Sequence, residues 1–254
     1  MSRPIAMVTG ASSGFGEAIA RKFAQEGWDV IITGRRAERL QALSAELERD
    51  CEVEILPLEF DVRDADAVHS ALSTVPEKWQ QLEVLVNNAG LAVGKASIDE
   101  GDLEDWGRMI DTNVKGLLYV TREVVRWMKA KQSGHIVNIG SIAGKEVYAG
   151  GNVYCATKFA VDALTKSMRV EFISYGIKVT QIAPGAAETE FSLVRFKGDE
   201  DKANQVYQGF QALTAQDIAD TLWFAVTRPA HVCLNDIVIM PAAQPNSYTL
   251  NKNK

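Results

Sequence analysis

Short apolar runs rich in Val and Ile alternate along the chain with longer amphipathic stretches. The runs are Ile5–Val8, Val30–Thr33, Val53–Leu58, Val84–Val86, His135–Ile139, Ile177–Ile182 and Asp236–Met240. Short runs of β-branched residues between polar turns suit buried strands. The intervening stretches have helical spacing. Ile19, Phe23 and Ala24 share a face of the first, and Leu40, Leu43, Ala45 and Leu47 mark the second. This repeating order predicts an α/β fold: a mostly parallel sheet with helices on both faces. No linker-like stretch or internal repeat interrupts it, so residues 1–254 read as a single domain. Within it, residues 188–213 are polar and mixed in charge, and residues 241–254 read as an extended polar tail.

Composition narrows the function classes. Apolar types make up 46% of the 254 residues, enough for a sizeable core and against dominant disorder. The 27 basic and 33 acidic residues leave a net charge of −6, which disfavours nucleic acid as a partner. No apolar run approaches the roughly 20 residues of a membrane span. The N-terminus also lacks the apolar core of a secretory signal. Cys51, Cys155 and Cys233 are widely separated, and His69, His135 and His231 are scattered, so neither set has metal-ligand spacing. Cys155 reads as a small buried filler. Unpaired cysteines fit a reducing cytoplasm.

The first strand runs into Thr9-Gly10-Ala11-Ser12-Ser13-Gly14-Phe15-Gly16, ahead of the first predicted helix. Gly10 permits a tight turn, while Gly14 and Gly16 let backbone approach a pyrophosphate and the strand. Free N–H groups and the helix dipole then face the phosphates. Glycine-rich turns between strand and helix are common, so the loop alone is weak evidence. The second strand ends in Gly34-Arg35-Arg36, where an NAD-binding fold commonly places a carboxylate for the ribose 2′-hydroxyl. Two guanidinium forks suit a 2′-phosphate instead, which favours NADP(H). The competing reading is a surface pair that caps the strand or meets Glu38.

Tyr154 and Lys158 stand four residues apart, on one face of a predicted helix. An ammonium within about 4–6 Å favours the ionised phenol, lowering its pKa from about 10. Such a tyrosine gives a proton to a carbonyl oxygen or takes one from an alcohol. Ser141, at the end of a strand, offers a hydroxyl to the same oxygen, and Asn113 follows Asp111-Thr112 at a helix start. Each has a plainer reading: a solvated helical pair, a turn serine, a helix cap. Their joint occurrence with the glycine loop carries the weight.

The ordered set Thr9-Gly10-x-x-x-Gly14-x-Gly16, Asn87-Asn88-Ala89-Gly90, Asn113, Ser141, Tyr154-x-x-x-Lys158 and Pro184-Gly185-x-x-x-Thr189 resembles the short-chain dehydrogenase/reductase superfamily over roughly residues 4–240. The resemblance implies a Rossmann fold with a seven-stranded sheet, no metal, and Ser–Tyr–Lys catalysis. It implies that Asp61 and Val62 flank the adenine, and that Asn87, Ala89 and Gly90 line the adenosine ribose. Asn87 and its neighbours would also stabilise the central strand. Lys158 would hold the nicotinamide ribose, Asn113 a relay water, and Pro184, Gly185 and Thr189 the nicotinamide.

The stretches around Thr33–Leu40, Tyr148–Tyr154 and Thr189–Asp199 are similar to the NADP-dependent branch acting on short 3-hydroxy acids, and to sulfoacetaldehyde reductases. Both imply a small anionic substrate. Tyr148 and Arg195, with Ser141 and Tyr154, are the expected substrate contacts, and residues 188–213 the expected lid. The alternative for Arg195 is a solvated pair with Glu188 or Glu190. The leading expectation is NADPH-dependent reduction of sulfoacetaldehyde to isethionate (2-hydroxyethanesulfonate). The alternative is a 3-hydroxy acid dehydrogenase acting on serine, allo-threonine or 3-hydroxypropionate. More remote are a non-catalytic NADP(H)-sensing protein and an interaction module. Apolar residues including Leu117, Leu118, Val124, Ala160, Leu164, Met168 and Phe172 exceed what one buried face needs. With the resemblance, they imply a homotetramer whose tails lie against neighbouring subunits.

Overall fold

The computed structural model describes residues 3–252. The strands are β1 (Ile5–Thr9), β2 (Asp29–Gly34), β3 (Ile55–Glu59), β4 (Leu82–Asn87), β5 (Gly134–Ile139), β6 (Ile177–Pro184) and β7 (Asp236–Ile239). They form a seven-stranded sheet of order β3-β2-β1-β4-β5-β6-β7, parallel at every pairing. The helices are α1 (Gly14–Gln25), α2 (Ala37–Cys51), α3 (Ala65–Ser73), α4 (Leu103–Ile110), α5 (Leu117–Lys131), α6 (Asn152–Phe172), α7 (Glu190–Arg195), α8 (Glu200–Gln205) and α9 (Ala215–Val226). No helix among the described residues is long and apolar enough to cross a membrane.

Strand periodicity divides the core into two layers. In β1, Ala6 and Val8 pack with α1, α2 and α9, while Ile5 and Met7 pack with α3, α5 and α6. Both sheet faces are therefore covered, which is why the central strands read as continuous apolar runs. Leu40, Leu43, Ser44 and Leu47 form the buried stripe of α2. Ala45, expected on that stripe, is exposed because it lies about 100° around the helix from Ser44.

The strand order reverses between β1 and β4, and ligands in open α/β sheets bind at such a switch point. Here side chains stitch the two strand ends together. Asn88 Nδ2 donates to the Thr9 carbonyl at 2.8 Å, and the Asn88 N–H donates to Thr9 Oγ1 at 2.9 Å. The expected lid carries α7 and α8, and its base is closed by the Leu213 N–H on the Ala186 carbonyl at 3.0 Å.

The tail is not the extended segment expected from its polarity. Within the described residues it folds back onto its own chain, through Gln244 to Ala186, Ser247 to Glu146, and Lys252 to Gln205. Its amides find acceptors along this path, which an extended tail would leave to water. Residues 253 and 254 lie outside the described part.

Candidate active site

A cleft of about 550 Å³ runs along the carboxyl ends of the strands, from the glycine loop to the lid. At one end, Gly10 adopts φ +67°, and a Cβ on Gly16 would lie 2.3 Å from the Gly10 carbonyl oxygen. Only glycine permits this approach of α1 to the turn. Ser12, Ser13, Gly14 and Phe15 line the cleft, whereas Gly16 serves the packing beneath it.

The two arginines after β2 have different jobs. Arg36 is anchored: Nε donates to Ser12 Oγ at 3.1 Å, while Nη2 donates to Ser13 Oγ at 2.7 Å and to the Ser12 carbonyl at 3.1 Å. Its Nη1 reaches Glu190 Oε2 at 3.1 Å, and Arg39 Nη1 reaches Glu190 Oε1 at 2.8 Å. Arg39 and then Arg36 hold the Glu190 carboxyl at a pKa of about 2. Glu190 thus ties the lid to the cofactor end of the cleft. Arg35 remains the least engaged fork, with Asp61 at 3.8 Å. Sequence reasoning missed the Arg39–Glu190 pair. Arg39 lies one helical turn beyond Arg36, but only the fold brings Glu190 beside it.

Asp61, Val62, Ala89 and Gly90 line the cleft beside Arg35 and the switch point. Asn87 does not. It is buried, donating through Nδ2 to Thr121 Oγ1 and Asn138 Oδ1, both at 2.9 Å. Asn87 braces β4 against β5 through its Nδ2, and Asn88 faces the cleft.

Ser141, at the end of β5, places Oγ 3.1 Å from the Ala143 N–H it accepts. Tyr154 and Lys158 rise from the first turns of α6, both buried. Lys158 Nζ donates to the Ile139 carbonyl at 2.9 Å and lies 6.0 Å from the centre of the Tyr154 ring. Burial pushes the Lys158 ammonium down to about 8. Burial also pushes the Tyr154 phenol above its ordinary value, and hydrogen bonding to Ser141 offsets only part of that. The lowering expected from Lys158 is not seen: its ammonium is held on the Ile139 carbonyl, and burial dominates at Tyr154.

Asn113 sits in a π-helical segment, Asp111–Gly116, between α4 and α5. Such bulges often mark functional sites. Its side chain makes three hydrogen bonds: Oδ1 accepts the Leu91 N–H at 2.8 Å, and Nδ2 donates to the Leu91 carbonyl at 2.8 Å and Thr157 Oγ1 at 2.9 Å. The side chain therefore has a structural job beside the expected water-holding one. It braces the loop after β4 against α6.

Arg195 at the end of α7 extends over the rings of Tyr148, at 5.3 Å, and Tyr154, at 5.9 Å. Its Nε is buried without a hydrogen-bond partner among the described residues. The alternative pairing with Glu190 is absent, because that carboxylate is held by Arg36 and Arg39. Lys197 points away, paired with Asp105 at 2.7 Å. Pro184, Gly185 and Thr189 border the same end of the cleft. No His, Cys, Asp and Glu cluster suited to a metal occurs among the described residues.

The chain matches the model of the short chain dehydrogenase family over residues 4–199. It is 48% identical over 241 residues to the NADP-dependent 3-hydroxy acid dehydrogenase YdfG of Salmonella typhi, covering 94% of this chain and 96% of that protein. Identity to the serine 3-dehydrogenase of Agrobacterium fabrum is 43% over 238 residues, covering 94% of each. Among solved structures, the closed form of serine dehydrogenase complexed with NADP+ superposes with a TM-score of 0.91 at 45% identity, covering 98% of this chain and 99% of that one. The glycine turn and the lightly engaged Arg35 fit such a cofactor on their own geometry. The chain belongs to the short-chain dehydrogenase/reductase family and is an NADP-dependent oxidoreductase acting on CH–OH groups.

Proposed function

We propose that the protein reversibly oxidises a short 3-hydroxy acid, of the class of serine, allo-threonine or 3-hydroxypropionate, with NADP as the partner. The observation that carries this reading is the buried, unpartnered Nε of Arg195 beside Tyr148. A buried guanidinium N–H lacking an acceptor favours an anion that completes its hydrogen bonds. The names of relatives, hydroxy acid and serine dehydrogenases, support a carboxylate over the sulfonate.

In this reading Arg195 and Tyr148 hold the carboxylate, and Ser141 and Tyr154 hold the reacting oxygen. Holding both ends orients a molecule of few carbons. Apolar burial, at ~0.8 kcal/mol per CH₂, supplies too little binding to select it. During oxidation, Tyr154 takes the hydroxyl proton while Ser141 stays hydrogen-bonded to the same oxygen; reduction reverses the transfer. Lys158 stabilises the phenolate. NADP, when bound, would supply the hydride acceptor for oxidation and, reduced, the hydride donor for the reverse.

The test is NADP-linked oxidation of 3-hydroxypropionate, serine and allo-threonine beside isethionate and propan-1-ol, followed by NADPH absorbance. The carboxylates are expected to exceed propan-1-ol by ten-fold or more in kcat/KM. A clear lead for isethionate returns the sulfonate to first place, and a lead for propan-1-ol removes the anion reading.

A further inference from the structure

The C-terminal strap reaches three parts of the cleft. Pro241 follows β7, and the chain turns back through the Gln244 N–H on the Pro241 carbonyl at 2.9 Å. Gln244 is buried, 6% exposed, although it lies in a polar tail. Its Oε1 accepts the Ala186 N–H at 2.7 Å. The carbonyl of the same Ala186 accepts the Leu213 N–H at the base of the lid. One residue after β6 therefore carries the strap on its N–H and the lid on its C=O. Three residues later, the Ser247 N–H donates to Glu146 Oε2 at 2.9 Å and its Oγ reaches the Val147 carbonyl, next to Tyr148. Gln244, Ser247 and Leu250 line the cleft.

The fit at Gly185 is close. A Cβ there would lie 2.6 Å from Gln244 Oε1. The loop that follows β6 is therefore packed tightly against the strap. Movement of Gln244 would leave the Ala186 N–H without an acceptor, which costs more than a hydrogen bond in water gains.

We propose that Gln244 is a positioning residue: it fixes the Gly185–Ala186 loop, and through that loop the nicotinamide end of the cofactor, while the strap beyond it forms a wall of the substrate pocket. The inference rests on assigning that loop to the nicotinamide. The glycine turn and the arginines, at the other end of the cleft, do not touch the strap, so they serve as an internal control.

Two variants test this. Gln244→Met keeps the length and packing of the side chain and removes the acceptor. Dissociation constants are measured by fluorescence for NADPH and by calorimetry for adenosine 2′,5′-bisphosphate, which fills only the adenosine end. The expected result is a five-fold or greater weakening for NADPH with the bisphosphate within two-fold of wild type. Parallel shifts in both, or a shift in neither, would overturn the role of Gln244. The second variant ends the chain at Asn246. It keeps Gln244 and loses the wall, so the substrate KM is expected to rise five-fold or more with the Kd for NADPH unchanged. An unchanged KM would overturn the wall, and if Gln244→Met does not fold, Gln244→Ala in the same two titrations decides the role of Gln244. Failure of the bisphosphate to bind wild-type protein would instead refute the assignment of the cofactor ends.

Discussion

At the scale of single residues, adjacent side chains of one type divide their work. Arg35 and Arg36 look alike in sequence, but Arg36 is held by Ser12, Ser13 and Glu190, whereas Arg35 has only Asp61 at 3.8 Å. Arg35→Ala should therefore cost about 1.5–3 kcal/mol of NADPH binding, the range for a charged hydrogen bond, and leave NADH nearly untouched. Arg36→Ala should weaken both, because it also loosens the glycine loop. Titrations of each variant with both cofactors check this; equal selectivity losses would contradict the division. Lys158 gives a pH signature. Burial sets its pKa at about 8, so it is cationic below that value and neutral above. Affinity for the anionic cofactor should fall as pH rises through about 8, and Lys158→Met should flatten the profile. What was legible here was residue identity: Ser141, Tyr154 and Lys158 converge as their spacing suggested. Partners were not legible, because Asn87, Asn113 and Glu190 choose theirs across 34, 22 and 151 to 154 positions of chain.

At the scale of elements, short continuous apolar runs revealed all seven strands, because both faces of the parallel sheet exclude water. They did not reveal the π-helical segment, whose extra residue per turn leaves no mark in composition. Nor did they reveal the path of the tail, which depends on one buried glutamine. The strand β5 also carries a buried titratable group. His135 donates to or accepts from Thr180 Oγ1 at 2.8 Å, and burial pushes its pKa down to about 3. Its folded value lies below the unfolded value of about 6.5. The unfolded chain therefore binds the proton first, and stability falls as pH drops from about 6.5 toward 3. The slope from this group is at most about 1.4 kcal/mol per pH unit. Urea unfolding between pH 7 and 4 should show it, and His135→Gln should reduce the slope. An unchanged slope in that variant would assign the acid sensitivity elsewhere.

For the whole molecule, the expected surplus of apolar helix residues proves smaller than the sequence suggests. Leu117, Val124, Met168 and Phe172 belong to the core between α5, α6 and the sheet. Leu118, Phe159, Val170 and Ile173 remain exposed, on α5, α6 and the turn after α6. Their burial against further copies would complete a homotetramer of closed symmetry. Sedimentation at micromolar concentration should give about four times 27.8 kDa, and a stable monomer would contradict it. The fold joins the two ends of its cleft through the lid: Glu190 is tied at the phosphate corner, and Arg195, five residues on, lies over Tyr148. The central claim is that this arginine selects the substrate by its charge. Steady-state kinetics of Arg195→Ala, with 3-hydroxypropionate and propan-1-ol compared at saturating NADP, tests it most directly. The KM for the hydroxy acid should rise ten-fold or more, with little change for the alcohol. Equal effects on both, or no effect on either, would contradict it.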